Sequence, residues 1–281
     1  LDSLKGAGEQ LAFAKKLNLD DLLFTYGVRI NYQLIADMNC AQIPLNVGNM
    51  GNQGQMELVP WLFFPVFVPL STHPLVKNLD GIRSEFASTI DTIAITGVRK
   101  TVLLSSSPYS KLLDVPNLIS LQMVEQEPDA ATFRSDPQPV AVLLEGRFKS
   151  TFKNRPIPAQ LGNFDNRLDQ SQPTQMLVLS DGDVFKNQVG ADGSPYPLGY
   201  DRYTQQQYGN KALLLNAVDF MSGDGDLLNL RSKELKMRLL DKALVKADKT
   251  FWQLINVVLP LLMLAIFGFF QHWYRKRKYT V

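Results

Sequence analysis

The stretch FWQLINVVLPLLMLAIFGFFQHW, from Phe251 to Trp273, contains no Asp, Glu, Lys or Arg. As a helix rising about 1.5 Å per residue it would extend roughly 34 Å, enough to cross a hydrocarbon core of about 30 Å. Trp252 stands near one end, with Trp273 and Tyr274 at the other, the arrangement of an interfacial aromatic belt. Pro260 and Asn256 are awkward in an isolated helix, but membrane helices tolerate both where neighbours satisfy the freed groups. The sequence therefore predicts a membrane span over 251–273.

Arg275, Lys276, Arg277 and Lys278 follow at once. A basic cluster at a membrane end marks the cytoplasmic side. The other flank is mixed: Lys233, Lys236, Arg238, Lys242, Lys246 and Lys249 alternate with Glu234, Asp241 and Asp248. Short tails weigh more than long translocated regions, so residues 274–281 are placed inside and residues 1–250 outside, in a periplasm-like space.

Removing the span changes the charge balance. The whole chain of 281 residues has a formal charge of +2, but residues 1–250 hold 25 basic against 27 acidic side chains. No basic field remains to attract nucleic acid. With 45% hydrophobic and 20% charged residues the chain is too apolar for intrinsic disorder. Cys40 is the single cysteine, which excludes an intrachain disulfide and a cysteine-based zinc site. The sequence begins at Leu1, and the expectation is a fragment or processed product with any export signal upstream.

Within residues 1–230, DDLLFTYGVRI (20–30) predicts a short helix stopped by Gly27 and followed by a strand. VGNMGNQG (47–54) lacks dinucleotide-binding spacing and is expected to be a flexible loop. PWLFFPVFVPL (60–70) is apolar, but its three prolines forbid a helix. It reads as an extended segment, or as an exposed apolar patch for a membrane partner. Leu79, Ile82, Phe86, Ile90 and Ile93 recur at spacings of three and four, predicting a one-sided helix over 79–95.

RKTVLLSSSP (99–108), PVAVLLEGRF (139–148) and QMLVLSDGD (175–183) read as buried strands ending in turns, and NKALLLNAVDFM (210–221) as a buried helix. Continuous Val/Leu runs with helices between them predict an α/β domain with a parallel sheet covered on both faces. Residues from about 150 to 174 read as a long Pro- and Asn-rich excursion, and residues 231–250 as a charged amphipathic helix leading into the span.

Candidate chemistry is sparse. Ser105, Ser106 and Ser107 end a strand and His73 could in principle activate one, but no nucleophile elbow surrounds them. His73 precedes Pro74, where a structural role fits better. There is no phosphate-binding loop, so the chain is not an ATPase by itself. Asp181 and Asp183 lie where open α/β sheets hold ligands, and Asp-Gly-Asp is equally ordinary turn chemistry. Asp224 and Asp226 repeat that pattern. Tyr196, Tyr200, Tyr203 and Tyr208 cluster in a polar loop that could recognise a sugar or a protein. No cofactor, metal centre or catalytic group is expected.

Several segments carry a resemblance. LDDLLFTYGVRIN (19–31) followed by Asp37, HPLVKNLDGIRSEFASTID (73–91), TVLLSSSPYS (101–110), QMLVLSDGDVFKN (175–187), YGNKALLLNAVDF (208–220) and LLNLRSKELKMRLLDKALV (227–245) resemble, in order and spacing, the C-terminal half of the GldG family. These are auxiliary components of gliding-motility-associated ABC transporters in Bacteroidota. The resemblance implies part of a flavodoxin- or glutamine-amidotransferase-like periplasmic domain anchored in the inner membrane. It also implies a GldF-like permease and a GldA-like ATPase as partners, and it carries over no catalytic motif.

Overall fold

In the computed structural model the described residues are 2–50, 53–69, 71–125, 128–129, 131–153, 168–223 and 249–279. The chain divides into two units, Leu1–Lys233 and Glu234–Val281.

The first unit is organised by strand–strand pairing. In chain order its elements are α1 (Asp2–Ala7), β1 (Glu9–Ala12), α2 (Asp20–Thr25), β2 (Val28–Ile30), β3 (Gln33–Asp37), β4 (Cys40–Met50), β5 (Gln53–Phe67), β6 (Ile82–Arg83), β7 (Ile90–Thr92), β8 (Val98–Ser105), β9 (Ser110–Asp114), β10 (Asn117–Ser120), β11 (Pro139–Gly146), β12 (Thr174–Leu179), β13 (Tyr200–Asp201), β14 (Gln206–Gln207) and α3 (Asn210–Met221). The sheets are β12-β11-β8, β4-β5-β6 and the pairs β1-β10, β2-β7, β3-β9 and β13-β14.

The predicted parallel sheet is corrected here, because every pairing described is antiparallel. No flavodoxin-like parallel sheet is shown. β11 explains the misreading. Ala141 and Leu143 belong to one buried cluster, with Leu75, Ile82, Leu103 and Leu213. Val142 and Leu144 belong to another, with Leu23, Val28, Ile90 and Val178. A strand buried on both faces needs apolar residues at every position, whichever way its neighbours run. The apolar run reports two-sided burial and not strand direction.

Two further expectations change. Of the glycine-rich stretch expected to be a loop, the described residues 47–50 and 53–54 are strand, the outer part of the β4–β5 pairing, with Asn49 opposite Gly54 and Met50 opposite Gln53. The Gly51-Asn52 pair between strand-like flanks is the signal that points to a hairpin. The helix over 79–95 does not form. Instead Ile82 pairs with Phe67 in β6–β5, Ile90 pairs with Ile30 in β7–β2, and Phe86 sits at φ +54°. Ile82 and Ile90 fill two different clusters, so their helical spacing does not mark one face.

The β5 segment is extended, as its prolines require. It is not an exposed patch, because Trp61, Phe63, Phe64 and Phe67 are all buried. Three of them pack with Ile43, Leu34, Ile119 and Tyr208 in a third cluster. α2 ends as expected: Gly27 takes φ +88°, and a Cβ there would stand 2.9 Å from the Ile93 carbonyl oxygen.

The described residues of the second unit, taken alone, form one helix, α4 (Lys249–Tyr279). It continues past Trp273 through the basic residues, and Pro260 lies inside it. Within Gln253–Lys278 the most apolar 18 residues have a mean hydropathy of 2.2, and none of them is buried. Arg277 stacks over the Trp273 ring at 4.4 Å, drawing its cation back along the helix. The charged segment expected over 231–250 lies outside the described residues up to residue 248, as do Asp224 and Asp226.

At the end of β11, Gly146 takes φ +150°, and a Cβ there would fall 2.1 Å from the Gly97 carbonyl oxygen. Gly146→Ala should therefore lower the unfolding free energy by about 1–3 kcal/mol. Gly6→Ala, inside α1 with nothing within 4 Å, should be neutral or stabilising by up to ~1 kcal/mol. Denaturant unfolding of the two variants checks the contrast.

Candidate functional site

The end of β12 carries the carboxylates singled out from sequence. Asp181 Oδ2 accepts hydrogen bonds from Ser84 Oγ at 2.5 Å and from the Glu85 amide at 2.9 Å. Its Oδ1 accepts the Asp183 amide at 2.8 Å. Burial raises the Asp181 pKa, and the hydrogen bonds only partly oppose it. Asp183 stands beside it and pairs with Lys186 at 3.1 Å. The Asp-Gly-Asp segment is therefore a turn that fastens β12 to residues 84–85, and both carboxylates still line a cavity.

That cavity, of about 400 Å³, has largely apolar walls from Phe13, Leu17, Leu19, Leu23 and Phe86. Its polar lining includes Lys15, Asp20, Tyr32, Glu85, Ser180, Asp181 and Asp183. A second cavity, of about 700 Å³, is lined by Asp20, Asp21, Arg29, Tyr32, Asp91 and Asp114 among others. The two share Asp20, Ile30, Asn31, Tyr32 and Gln33. Tyr32 donates its hydroxyl to Asp20 Oδ2 at 2.7 Å across that shared wall. The hydrogen bond also raises the Tyr32 pKa, because ionisation would lose the donor beside a carboxylate. The two cavities adjoin along the β2–β3 connection, and the pair is called the trough.

Local sequence explains the walls. α2 has no side-chain cap and places Asp20 and Asp21 in its first turn, where exposed amides and the helix dipole favour negative charge. Arg29 on β2 reaches Asp91 on the paired β7 at 2.7 Å. Gln33 donates to Asp114 across β3–β9 at 2.7 Å. Tyr32 and the 13–19 segment were not singled out from sequence. The alternation of Phe13 and Leu17 with Lys15 and Lys16 was their available signal.

The tyrosine cluster lies on different walls. Tyr196 stacks on Tyr200 at 5.6 Å, and Arg202 lies 4.6 Å above the Tyr203 ring. Neither Tyr200 nor Tyr203 lines the two cavities. Tyr208 is buried in the core. Burial, with Asp201 close by, raises its pKa.

The serine run serves Asp37, which is buried. Ser107 donates its hydroxyl to Asp37 Oδ1 at 2.6 Å and its amide to Oδ2 at 2.8 Å. Ser106 Oγ bonds Ser110 Oγ at 3.0 Å and accepts the Gln138 amide. His73 Nδ1 accepts the Leu75 amide at 3.3 Å, and its ring meets Phe220 edge-on. Burial lowers the His73 pKa. These bonds turn the serines and His73 into loop fasteners.

The family described as an ABC-type uncharacterized transport system matches residues 1–217. The chain belongs to that family. It is a family of auxiliary transport components and not of catalytic enzymes. No curated protein and no solved structure matches the chain. The match spans the strand-rich unit that carries the trough. In this auxiliary component, the apolar helix α4 that follows the matched region could span a membrane.

Two measurements check the electrostatics. A carboxyl whose pKa is raised on folding stabilises the fold at low pH and loses that contribution as pH rises through the raised value. The stability of the wild type relative to Asp181→Asn should therefore fall from acid to neutral pH, read as paired thermal midpoints. Burial and the nearby Asp37 push the Cys40 thiol up to about 11. Native Cys40 should react with iodoacetamide about 100-fold more slowly than in denaturant, following its thiolate fraction.

Proposed function

We propose that this chain is a membrane-anchored extracytoplasmic subunit of an ABC transport complex, joined by α4 to a permease and through it to a cytoplasmic ATPase. The observation that carries the reading is the pairing of a family match over residues 1–217 with an unburied apolar helix at Gln253–Lys278. A helix apolar on all sides has no favourable home in water. Trp252, Trp273 and Tyr274 would sit at the two interfaces, and Arg275–Lys278 would hold the tail in the cytoplasm. The strand-rich body would then lie in the periplasm, on the outer side of an inner membrane.

The finer assignment follows the sequence resemblance: a gliding-motility-associated system with GldF-like and GldA-like partners. In this reading the role is mechanical. The ATPase cycle moves the permease, and the charged residues 231–249 pass that movement between the span and the body. The charges on both faces of that segment and its place directly before the span support this role.

A second reading is a ligand-binding module, for carbohydrate, lipid or peptide. The trough beside Asp181 and Asp183 favours it, with Tyr200 and Tyr203 as a separate contact surface. Purification of the protein from its native membrane in mild detergent separates the two. A transporter subunit brings down a multi-span permease and a nucleotide-binding ATPase, and Pro substitutions within 231–249 uncouple transport without releasing them. If neither protein accompanies the chain, the transporter-subunit reading is wrong.

A further inference from the structure

The trough is lined by large apolar side chains and by carboxylates from several elements. Phe13 is 73% exposed, Phe24 58% and Leu17 57%, so the walls offer large apolar side chains to whatever enters. Asp20, Asp21, Asp114 and Asp181 line the two cavities and make no ion pair among the described residues. Asp183 pairs only with Lys186, whose side chain is 68% exposed and free to swing away. The Ser180 hydroxyl on the same lining is buried and lacks a hydrogen-bond partner.

We propose that this trough is a docking groove for an extended, Lys- or Arg-rich peptide segment of a partner protein, with apolar residues between its charges. The inference rests on reading the trough as a recognition site and names its occupant. Charge selects the class. Carboxylates spread over both cavities repel phosphate, nucleic acid and anionic headgroups, and they match a ligand with several cations. No group of His, Cys, Asp or Glu among the described residues could hold a metal ion. Shape selects a chain over a compact cation. The carboxylates are divided between two adjoining cavities, and one small ion would leave most of them unmatched. Alternating residues of an extended strand face opposite ways. Basic residues would point to the floor, and apolar neighbours would pack on Phe13, Leu17 and Phe24. Lys15 is the one lining cation without an ion pair in the described residues, and it would be displaced toward solvent.

The test uses the full chain in phosphatidylcholine nanodiscs with a fluorescent peptide of alternating Lys and Val, and empty nanodiscs as blank. The expected result is saturable binding that weakens roughly tenfold when the lysines are acetylated. Asp114→Asn and Asp183→Asn, which lie in different cavities, should each weaken it roughly three- to fivefold. Phe13→Ser should do so as well. Asp169→Asn, a carboxylate outside the trough, should leave it unchanged. Equal binding of the acetylated peptide, insensitivity to both trough variants, or full competition by tetraethylammonium would each overturn the proposal. Absence of saturable binding would overturn it too. Saturable binding of a neutral sugar instead would keep the trough as a recognition site while removing the peptide. Co-purified permease and ATPase without peptide binding would leave the transporter reading intact and the groove refuted.

Discussion

One buried amide holds the working parts of the body together. Asn210, 3% exposed, accepts the Arg83 amide on its Oδ1 and donates its Nδ2 to the carbonyls of Arg83 and Val184. It therefore ties the first turn of α3 to β6 and to the turn after β12. On the same short segment, Ser84 and Glu85 grip Asp181, while the Arg83 guanidinium pairs with Glu85 at 2.8 Å and approaches Asp201. Pro65 and Phe63 carbonyls accept the Ser84 and Phe86 amides, joining the strip to β5. Losing one partner here would strand several buried polar groups at about 1–3 kcal/mol each. Residues 82–86 are thus the junction through which the trough, the tyrosine hairpin and the core share one geometry.

That junction also shows why part of the fold escapes a reading of the sequence. Residues 82–86 have helical spacing, yet the Arg83 and Glu85 amides bond Asn210 and Asp181, more than 90 positions away, while the Ser84 and Phe86 amides bond β5. Local periodicity cannot register such bonds, and tertiary pairing overrode it. The strand β11 was legible because Val142, Leu143 and Leu144 are all buried, in clusters on both of its faces. Its direction was not, since alternation carries no orientation. The membrane helix was legible because its signal is length and absence of charge, which depend on no partner. Asp181 and Asp183 were found by their place at a strand end. Tyr32 lies between β2 and β3, which pair with β7 and β9, and Phe13 follows β1, which pairs with β10; no short motif announces these pairings.

The arrangement suits a receiving role better than a chemical one. The hydroxyls of Ser106 and Ser107 and the ring of His73 are spent on fastening loops. The unspent groups are carboxylates and apolar side chains around the trough, a lining suited to binding and orienting a partner. A subunit held at a membrane by one helix, with such a surface on its body, can join a complex at two places. In the proposed reading the apolar helix would associate within the bilayer, and the trough would engage a chain outside it.

The central claim is that body and tail lie on opposite sides of the membrane. Cysteines introduced singly at Val189 and Lys276 in a Cys40→Ser background can be labelled with a membrane-impermeant maleimide in spheroplasts. The account predicts labelling of the Val189 position from outside and of the Lys276 position only after disruption. Labelling of both from the same side, or the reverse pattern, would contradict it.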